Sequence, residues 1–281
     1  MSLDQLLTRI TGDEKHTPSA TSTLDVLWVL YDRVLRITPQ TVDDDDRDRF
    51  LLSKGHGPAA YYAVLAAKGF IPPEWLDDVG SWASPLGHHP DRLRIPGVEI
   101  SSGSLGHGLP LGIGVALGLR AQHRTTPRVY VLVGDAELDE GSNHEAIAFA
   151  GATGLTNLHA VVIDNVSATH GWSGGIATRF EREGWSVLTV DGRDHDALEA
   201  AFTAQHPGRP HAVVAIVEPK NPSLSRTRIS ALMRGLPWRR CGNASLPPPP
   251  NCLTTTRALP SCWPTSALTS SPVRRRAIPG G

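Results

Sequence analysis

The first 220 residues alternate between two patterns of hydrophobic and polar positions. Ser22 to Ile37 (STLDVLWVLYDRVLRI) puts Leu24, Val26, Leu27, Leu30, Val34 and Leu35 at helical spacing, which predicts a helix with Ser22 or Thr23 as its N-cap. Pro58 to Lys68 predicts a second helix. Arg128 to Val133 (RVYVLV) and Ala160 to Asp164 (AVVID) are short, unbroken apolar runs, and Ser142 to Thr153 between them has helical composition. That order predicts a strand, a crossover helix and a parallel strand. A further unit follows: Ser186 to Val190 (SVLTV), a helix capped near Asp194, and His211 to Val217 (HAVVAIV). Strands written as continuous Val, Ile and Leu are those covered on both faces by helices. The predicted fold class is therefore α/β, a doubly wound, mostly parallel sheet with helices on both faces.

From Asn221 the periodicity stops and Pro, Ser, Thr, Arg and Ala dominate, with four consecutive prolines at Pro247 to Pro250. Such a composition buries too little apolar surface to offset the entropy of ordering, so residues 221–281 are expected to be a disordered tail after one domain spanning 1–220. Charge sharpens the division. The first 220 residues hold 18 Lys plus Arg against 28 Asp plus Glu, whereas the last 61 hold nine Arg, no Lys and no acidic residue. The near-neutral total of −1 is thus a cancellation. The tail reads either as a natural basic linker or as the product of a frameshift near codon 221 in a GC-rich gene; translating the other two frames past Lys220 distinguishes them.

All three cysteines (Cys241, Cys252, Cys262) lie in the tail, so the body is no disulfide scaffold and offers neither a thiolate nucleophile nor a Cys-based zinc site. A reducing, cytoplasmic setting is expected. The N-terminal MSLDQLLTRITGDEKH lacks a basic segment followed by an apolar one, and apolar runs reach only about half a dozen residues, so neither export nor a membrane partner is expected. The acidic body argues against nucleic acid as the main partner.

The sharpest local signal is Val133-Gly134-Asp135-Ala136-Glu137 at the end of a predicted strand, followed by Asp164-Asn165 at the end of the next. Ligands of open parallel sheets bind just outside the carboxyl ends of the strands. If the two strands are neighbours, the Asp135 carboxylate and the Asn165 amide reach one hard divalent cation, Mg2+, with the Ser167 carbonyl as third ligand. The alternative is that Asp135 caps the following helix and Asn165 makes a turn. Ser101 to Gly118 (SSGSLGHGLPLGIGVALG) is dense in glycine, which lets backbone N–H groups approach a ligand or a helix pack closely; it is neither a P-loop nor a dinucleotide fingerprint. His16, His56, His88, His89 and His107 stand in Gly- or Pro-flanked settings, as a proton-moving pocket requires, though single histidines in such loops are commonly structural.

Taken together, DRDRFLLSKGHG (46–57), GHHPD, PGVEISSGSLGHG (96–108), GDAELDEGSNHEA (134–146) and IDN (163–165) resemble the N-terminal, diphosphate-binding half of transketolase, especially the split type whose halves are separate chains. Spacing agrees, with His16 nine residues before Asp25 and His89 fourteen before Gly103. The resemblance implies thiamine diphosphate and Mg2+ as cofactors. It puts the metal on Asp135, Asn165 and the Ser167 carbonyl, and the diphosphate against Gly134, Asp135, Ala136 and Glu137, with Asn165 also among the cofactor contacts. It implies that the aminopyrimidine lies against Gly103, Ser104 and Leu105. His56 matches the cofactor-contacting histidine, His16 and His89 match those lining the substrate channel, and Glu140 matches the acid that couples paired active sites across a subunit interface.

Because cofactor activation in that family needs a carboxylic acid from a separate pyrimidine-binding domain, the resemblance also implies a C-terminal partner subunit carrying that domain. The expected assembly is a heterotetramer, self-associating through that subunit, that moves a two-carbon ketol unit from a ketose or ketose phosphate to an aldehyde; alone the chain is expected to be inactive. The alternatives are the α-subunit of a 2-oxoacid dehydrogenase, which EGSNHEAIAFA also resembles, and an inactive truncated relic. SKGHG and SSGSLGHG favour transketolase. Four departures from the family pattern stand out. Ala136 replaces a glycine, His107 replaces a common glutamine, His16 is followed by Thr-Pro-Ser, and nothing after Lys220 matches, so the family's further histidine near the diphosphate is missing.

Overall fold

Five short apolar segments pair side by side into one parallel sheet in the order β1-β2-β3-β5-β4, with β1 at Arg49–Leu52, β2 at Val129–Gly134, β3 at Leu158–Asp164, β4 at Ser186–Asp191 and β5 at His211–Ile216. This computed structural model describes residues 3–10, 20–169 and 171–220, all within the first of the two units into which the chain divides, residues 1–236. The expected tail, 221–281, and His16 lie outside the described residues.

Alternation along the strands divides the core in two. Phe50, Leu52, Tyr130, Leu132, Val161, Ile163, Val213 and Ala215 face one layer. It is formed by α1 (Leu3–Arg9), α2 (Leu24–Val29, continued by a π-helical turn at Leu30–Val34), α3 (Ala59–Ala67) and α7 (His195–Phe202). Leu51, Val129, Val131, Val133, Leu158, Ala160, Val162, Ala212 and Val214 face the other, which carries α4 (Gly108–Ala121), α5 (Gly141–Thr153) and α6 (Gly175–Arg182). The doubly wound sheet expected from the apolar runs is therefore present, with both faces covered. Among the described residues no helix is long and apolar enough to cross a membrane.

Local chemistry sets the element ends. Asp194 caps α7 by accepting from the Asp196 and Ala197 N–H groups at 3.1 and 3.0 Å, as expected. Gly154, at φ 56°, closes α5 in the left-handed conformation that glycine adopts without strain. Two expectations need correction. The helix over 22–37 stops at Val34, where Leu35 turns extended three residues before Thr38-Pro39; Thr23 does take the N-cap position, but its hydroxyl donates backward to the Ala20 carbonyl at 2.7 Å instead of accepting from the first turn. Ser186 to Val190 is no doubly covered strand either. As β4 it forms the outer edge, and Leu188 is 40 % exposed. Strand β1, at the other edge, carries no apolar run long enough to stand out and was visible only inside the motif DRDRFLLSKGHG.

At the amino ends of the strands, the buried Asp48 carboxylate accepts from Arg36 and Arg128 guanidinium groups at 2.7 Å each and joins α2, β1 and β2. Beside it the His159 ring stacks on Tyr130 with centroids 4.4 Å apart, and His206 stacks on His211 at 4.8 Å. Burial, together with the neighbouring imidazoles, holds His159 well below the ordinary imidazole range and lowers His211. The unfolded chain therefore takes up protons near pH 6.5 that the folded protein refuses, so stability falls as pH drops below that value, by about 1.4 kcal/mol per pH unit from His159 and less from His211. Urea unfolding between pH 7.5 and 5 is expected to show this slope, and His159→Phe, which keeps the stack, is expected to flatten it; an unchanged slope would place the proton uptake elsewhere.

Candidate cofactor site

Adjacent parallel strands deliver Asp135 and Asn165 to the same end of the sheet. Gly134 pairs with Ile163, and the Asp135 N–H donates to the Ile163 carbonyl at 3.0 Å. Asp135 is 2 % exposed, and its carboxylate accepts from the Ser167 N–H at 2.7 Å, the Ser167 hydroxyl at 2.5 Å and the Ala168 N–H at 3.3 Å. It caps neither the 3-10 turn Glu137–Asp139 nor α5, whose N-cap positions are Ala136 and Glu140, and three of its bonds run across to the turn after β3. That turn is strained, because Val166, a β-branched residue, sits at φ 56°. The end of β5 closes over it, with the Lys220 N–H donating to the Asn165 carbonyl at 2.7 Å.

Asn165 is 1 % exposed, its Nδ2 donates to the Ser22 hydroxyl at 3.4 Å, and its Oδ1 is buried with no hydrogen-bond partner. A buried amide oxygen left without a donor costs about 1–3 kcal/mol, and a hard cation is one group that relieves it. Among the described residues no three His, Cys, Asp or Glu side chains come together as a metal cluster. A cation here must then draw mostly on neutral oxygens, water and a phosphate, which is how Mg2+ is bound beside diphosphates. The residues present fit that ion.

Three loops meet at this end, and each approaches with main chain. A Cβ on Gly55 would lie 2.6 Å from the Gly103 nitrogen, and one on Gly103, at φ +123°, would lie 2.5 Å from the His89 ring. The His89 and His56 rings stand edge to face, 4.8 Å between centroids. His56, His89 and Gly103 are thus brought together, while Ser104 is exposed and Leu105 half-buried beside them. His88 packs against Gly80 instead, and His107, exposed, takes the N-cap position of α4. Glu140 is exposed next to the same loop, where a Cβ on Gly106 would lie 2.6 Å from its own.

Ala136 stands at φ −67°, ψ −33°, so the methyl group that replaces glycine carries no backbone strain. Its N–H donates to Asp135 Oδ1 at 2.8 Å, a bond that an incoming diphosphate would compete for. Glu137, expected among the cofactor contacts, turns its carboxylate inward: it accepts from the Ser53 hydroxyl, from the Gly106 N–H at 3.0 Å and from the Gly134 N–H at 3.1 Å. Burial raises its pKa, and these three donors oppose the rise. Sequence reasoning overlooked Ser53 and Lys54 although both stand inside SKGHG. Lys54 is 8 % exposed and its aliphatic stem covers Gly134, where a Cβ would lie 3.2 Å from Lys54 Cδ. Burial pushes its ammonium down to about 8 against the attraction of Asp135, with Lys220 pushing in the same direction as burial and Glu137 opposing it.

Residues 6–217 match the family described as transketolase, thiamine diphosphate binding domain. The chain belongs to the transketolase family. It is 59 % identical over 215 residues to a Rhodococcoides fascians protein named ferredoxin fas2, covering 76 % of this chain and 71 % of that one. It is 36 % identical over 207 residues to one subunit of the apulose-4-phosphate transketolase of Actinobacillus succinogenes, covering 71 % and 75 %. The solved transketolase of Leishmania mexicana superposes with a TM-score of 0.62 at 25 % identity over 77 % of this chain, which spans only 36 % of that protein. The ferredoxin name does not transfer, because residues 1–220 contain no cysteine to ligate an iron–sulfur cluster.

Gly103→Ala is expected to destabilise the transketolase-family domain by about 1–3 kcal/mol in urea unfolding, since alanine must adopt φ +123° and displace His89. A shift of the His89 imidazole resonances without a shift at His206 would localise the effect; a variant as stable as wild type would show that the loop rearranges freely.

Proposed function

We propose that this chain is the Mg2+- and diphosphate-binding half of a two-component transketolase, acting with a C-terminal subunit that carries the pyrimidine-binding domain. The observation that carries the reading is the unpartnered Asn165 Oδ1 beside the Asp135 carboxylate, at the carboxyl ends of two adjacent strands. Asp135, Asn165 and the Ser167 carbonyl hold Mg2+, and the main chain at Gly134–Ala136 holds the diphosphate, whose charge the buried Lys54 offsets. Gly103, Ser104 and Leu105 face the aminopyrimidine. When bound, thiamine diphosphate supplies the electron sink that lets the C–C bond beside a ketose carbonyl break.

The chain's own part in turnover is to orient and to move protons. The edge-to-face contact of the His56 and His89 imidazoles supports a role for them in exchanging a proton with a sugar hydroxyl, and the family pattern assigns His16 to the same channel. The exposure of Glu140 at the start of α5 supports a role for it in coupling to a second copy within an α₂β₂ heterotetramer. The Actinobacillus succinogenes relative, named as one of the subunits of its enzyme, supports a separate partner, and a family match ending at 217 supports a domain boundary near Lys220. The reducing, cytoplasmic setting rests on the cysteine-free body.

Calorimetric titration with thiamine diphosphate is expected to show Mg2+-dependent binding, and Asp135→Ala or Asn165→Ala is expected to weaken it at least tenfold. Two-carbon transfer from a ketose to an aldehyde is expected only when the partner chain is co-purified. Turnover by the single chain with Mg2+ and cofactor would sink the two-component reading, and absence of Mg2+-dependent binding with or without the partner would sink the cofactor assignment.

A further inference from the structure

The loops that surround the proposed cofactor site are joined by one side chain that does not itself face it. Glu137 is 2 % exposed, and its two carboxylate oxygens reach three separate segments. Oε1 accepts from the Ser53 hydroxyl, just before Lys54 and His56, and from the Gly106 N–H, just after Leu105; Oε2 accepts from the Gly134 N–H, just before Asp135. Ser53 extends the chain of bonds, since its hydroxyl accepts from the Gly108 N–H at 2.9 Å, at the first residue of α4. The Glu137 carbonyl accepts from Asn143 Nδ2 at 2.6 Å, which anchors the knot to α5. A buried carboxylate that accepts three bonds of this kind is stabilised strongly by each, and it fixes the donors relative to one another.

We propose that Glu137 is the positioning residue of the cofactor site: it sets the spacing between the Ser53–His56, Gly103–Gly106 and Gly134–Ala136 main chains without contacting thiamine diphosphate. The proposal rests on the cofactor reading above and adds how the cradle is held. The three segments approach so closely, Gly55 on Gly103 and Gly108 on Ser53, that a small change in their spacing moves every main-chain donor of the cradle.

Glu137→Gln is the sharpest test. The amide keeps the shape and one acceptor but presents N–H₂ to an N–H group, so one of the three segments loses its partner. In the cofactor-free full chain, amide exchange is expected to rise at least tenfold in residues 53–56, 103–108 and 134–136, while the far-UV spectrum and the protection of β3 and β5 stay as in wild type. Mg2+-dependent affinity for thiamine diphosphate is expected to fall ten- to a hundredfold. Ser53→Ala, which leaves the carboxylate in place, is expected to show a smaller change confined to 53–56 and 103–108, and it stands as the test should Glu137→Gln fail to fold. Exchange that rises evenly across the sheet, or exchange and affinity within twofold of wild type, overturns the proposal. If wild type binds no thiamine diphosphate while the exchange pattern appears as expected, the positioning of the loops holds and the cofactor reading is the part that fails.

Discussion

Because β2 and β3 pair in parallel with Gly134 opposite Ile163, the chain leaves both strands at the same height, and Asp135 meets the 164–168 turn with nothing between them. A slip of one residue in that register would reverse every side chain of β2, exchanging Tyr130 and Leu132 for Val131 and Val133 between two already filled core layers. The cost of emptying and overfilling those layers is what holds Asp135 at the site. The same register delivers Asn165, and β5, paired to β3 with Asp164 opposite Ile216, brings Lys220 across the top of the turn. The position of each polar group at this end is thus decided by apolar packing several residues away.

Close approach is the second constraint, and glycine supplies it. Gly55, Gly103, Gly106 and Gly108 each stand where a methyl group would collide with a neighbouring segment: with the Gly103 main chain, the His89 ring, Glu140 and Ser53 in turn. Contact this close leaves no room for larger side chains at the glycine positions to tune the spacing. The tuning falls to hydrogen bonds, and Glu137 is the group that reaches all three segments. This also accounts for a buried, charged residue in a place where an apolar one would pack more cheaply: an apolar side chain would leave the Gly134 and Gly106 N–H groups unpaired.

Sheet class, the helices beginning near 22, 58, 142 and 194, and the two strand ends bearing Asp135 and Asn165 were legible because unbroken apolar runs and period-3.6 stripes report burial directly, whereas Leu3–Arg9 and Gly175–Arg182 were not foreseen as helices. What stayed hidden depended on partners distant in sequence. Ser186 to Val190 reads as an interior strand, but its neighbours are chosen by the crossover of β4 past β5, which no local pattern encodes. Ser22 carries every mark of a helix cap, yet its hydroxyl faces Asn165, 143 positions away. Lys54 stood inside a recognised motif, and only the fold shows it buried over Gly134 with its charge held by Asp135 and Glu137. That Ala136 can replace a glycine without strain follows from a local fact that sequence could not supply, its φ of −67°.

Electrostatics explains how an acidic domain can serve phosphate chemistry. The first 220 residues carry ten more acidic than basic residues, a balance that repels phosphate esters at long range. At the site itself the buried acids Asp135 and Glu137 attract the ammonium of the buried Lys54, and the carboxylate of Asp135 is already met by the main-chain N–H groups of Ser167 and Ala168. A site so occupied binds a diphosphate weakly by itself. A divalent cation held by a single carboxylate and neutral oxygens keeps most of its charge for the phosphate, so metal and diphosphate should bind as one unit, each poor at the site without the other. Under the proposed reading, the unpaired Asn165 oxygen is the fold's half of a bond that the cation would complete.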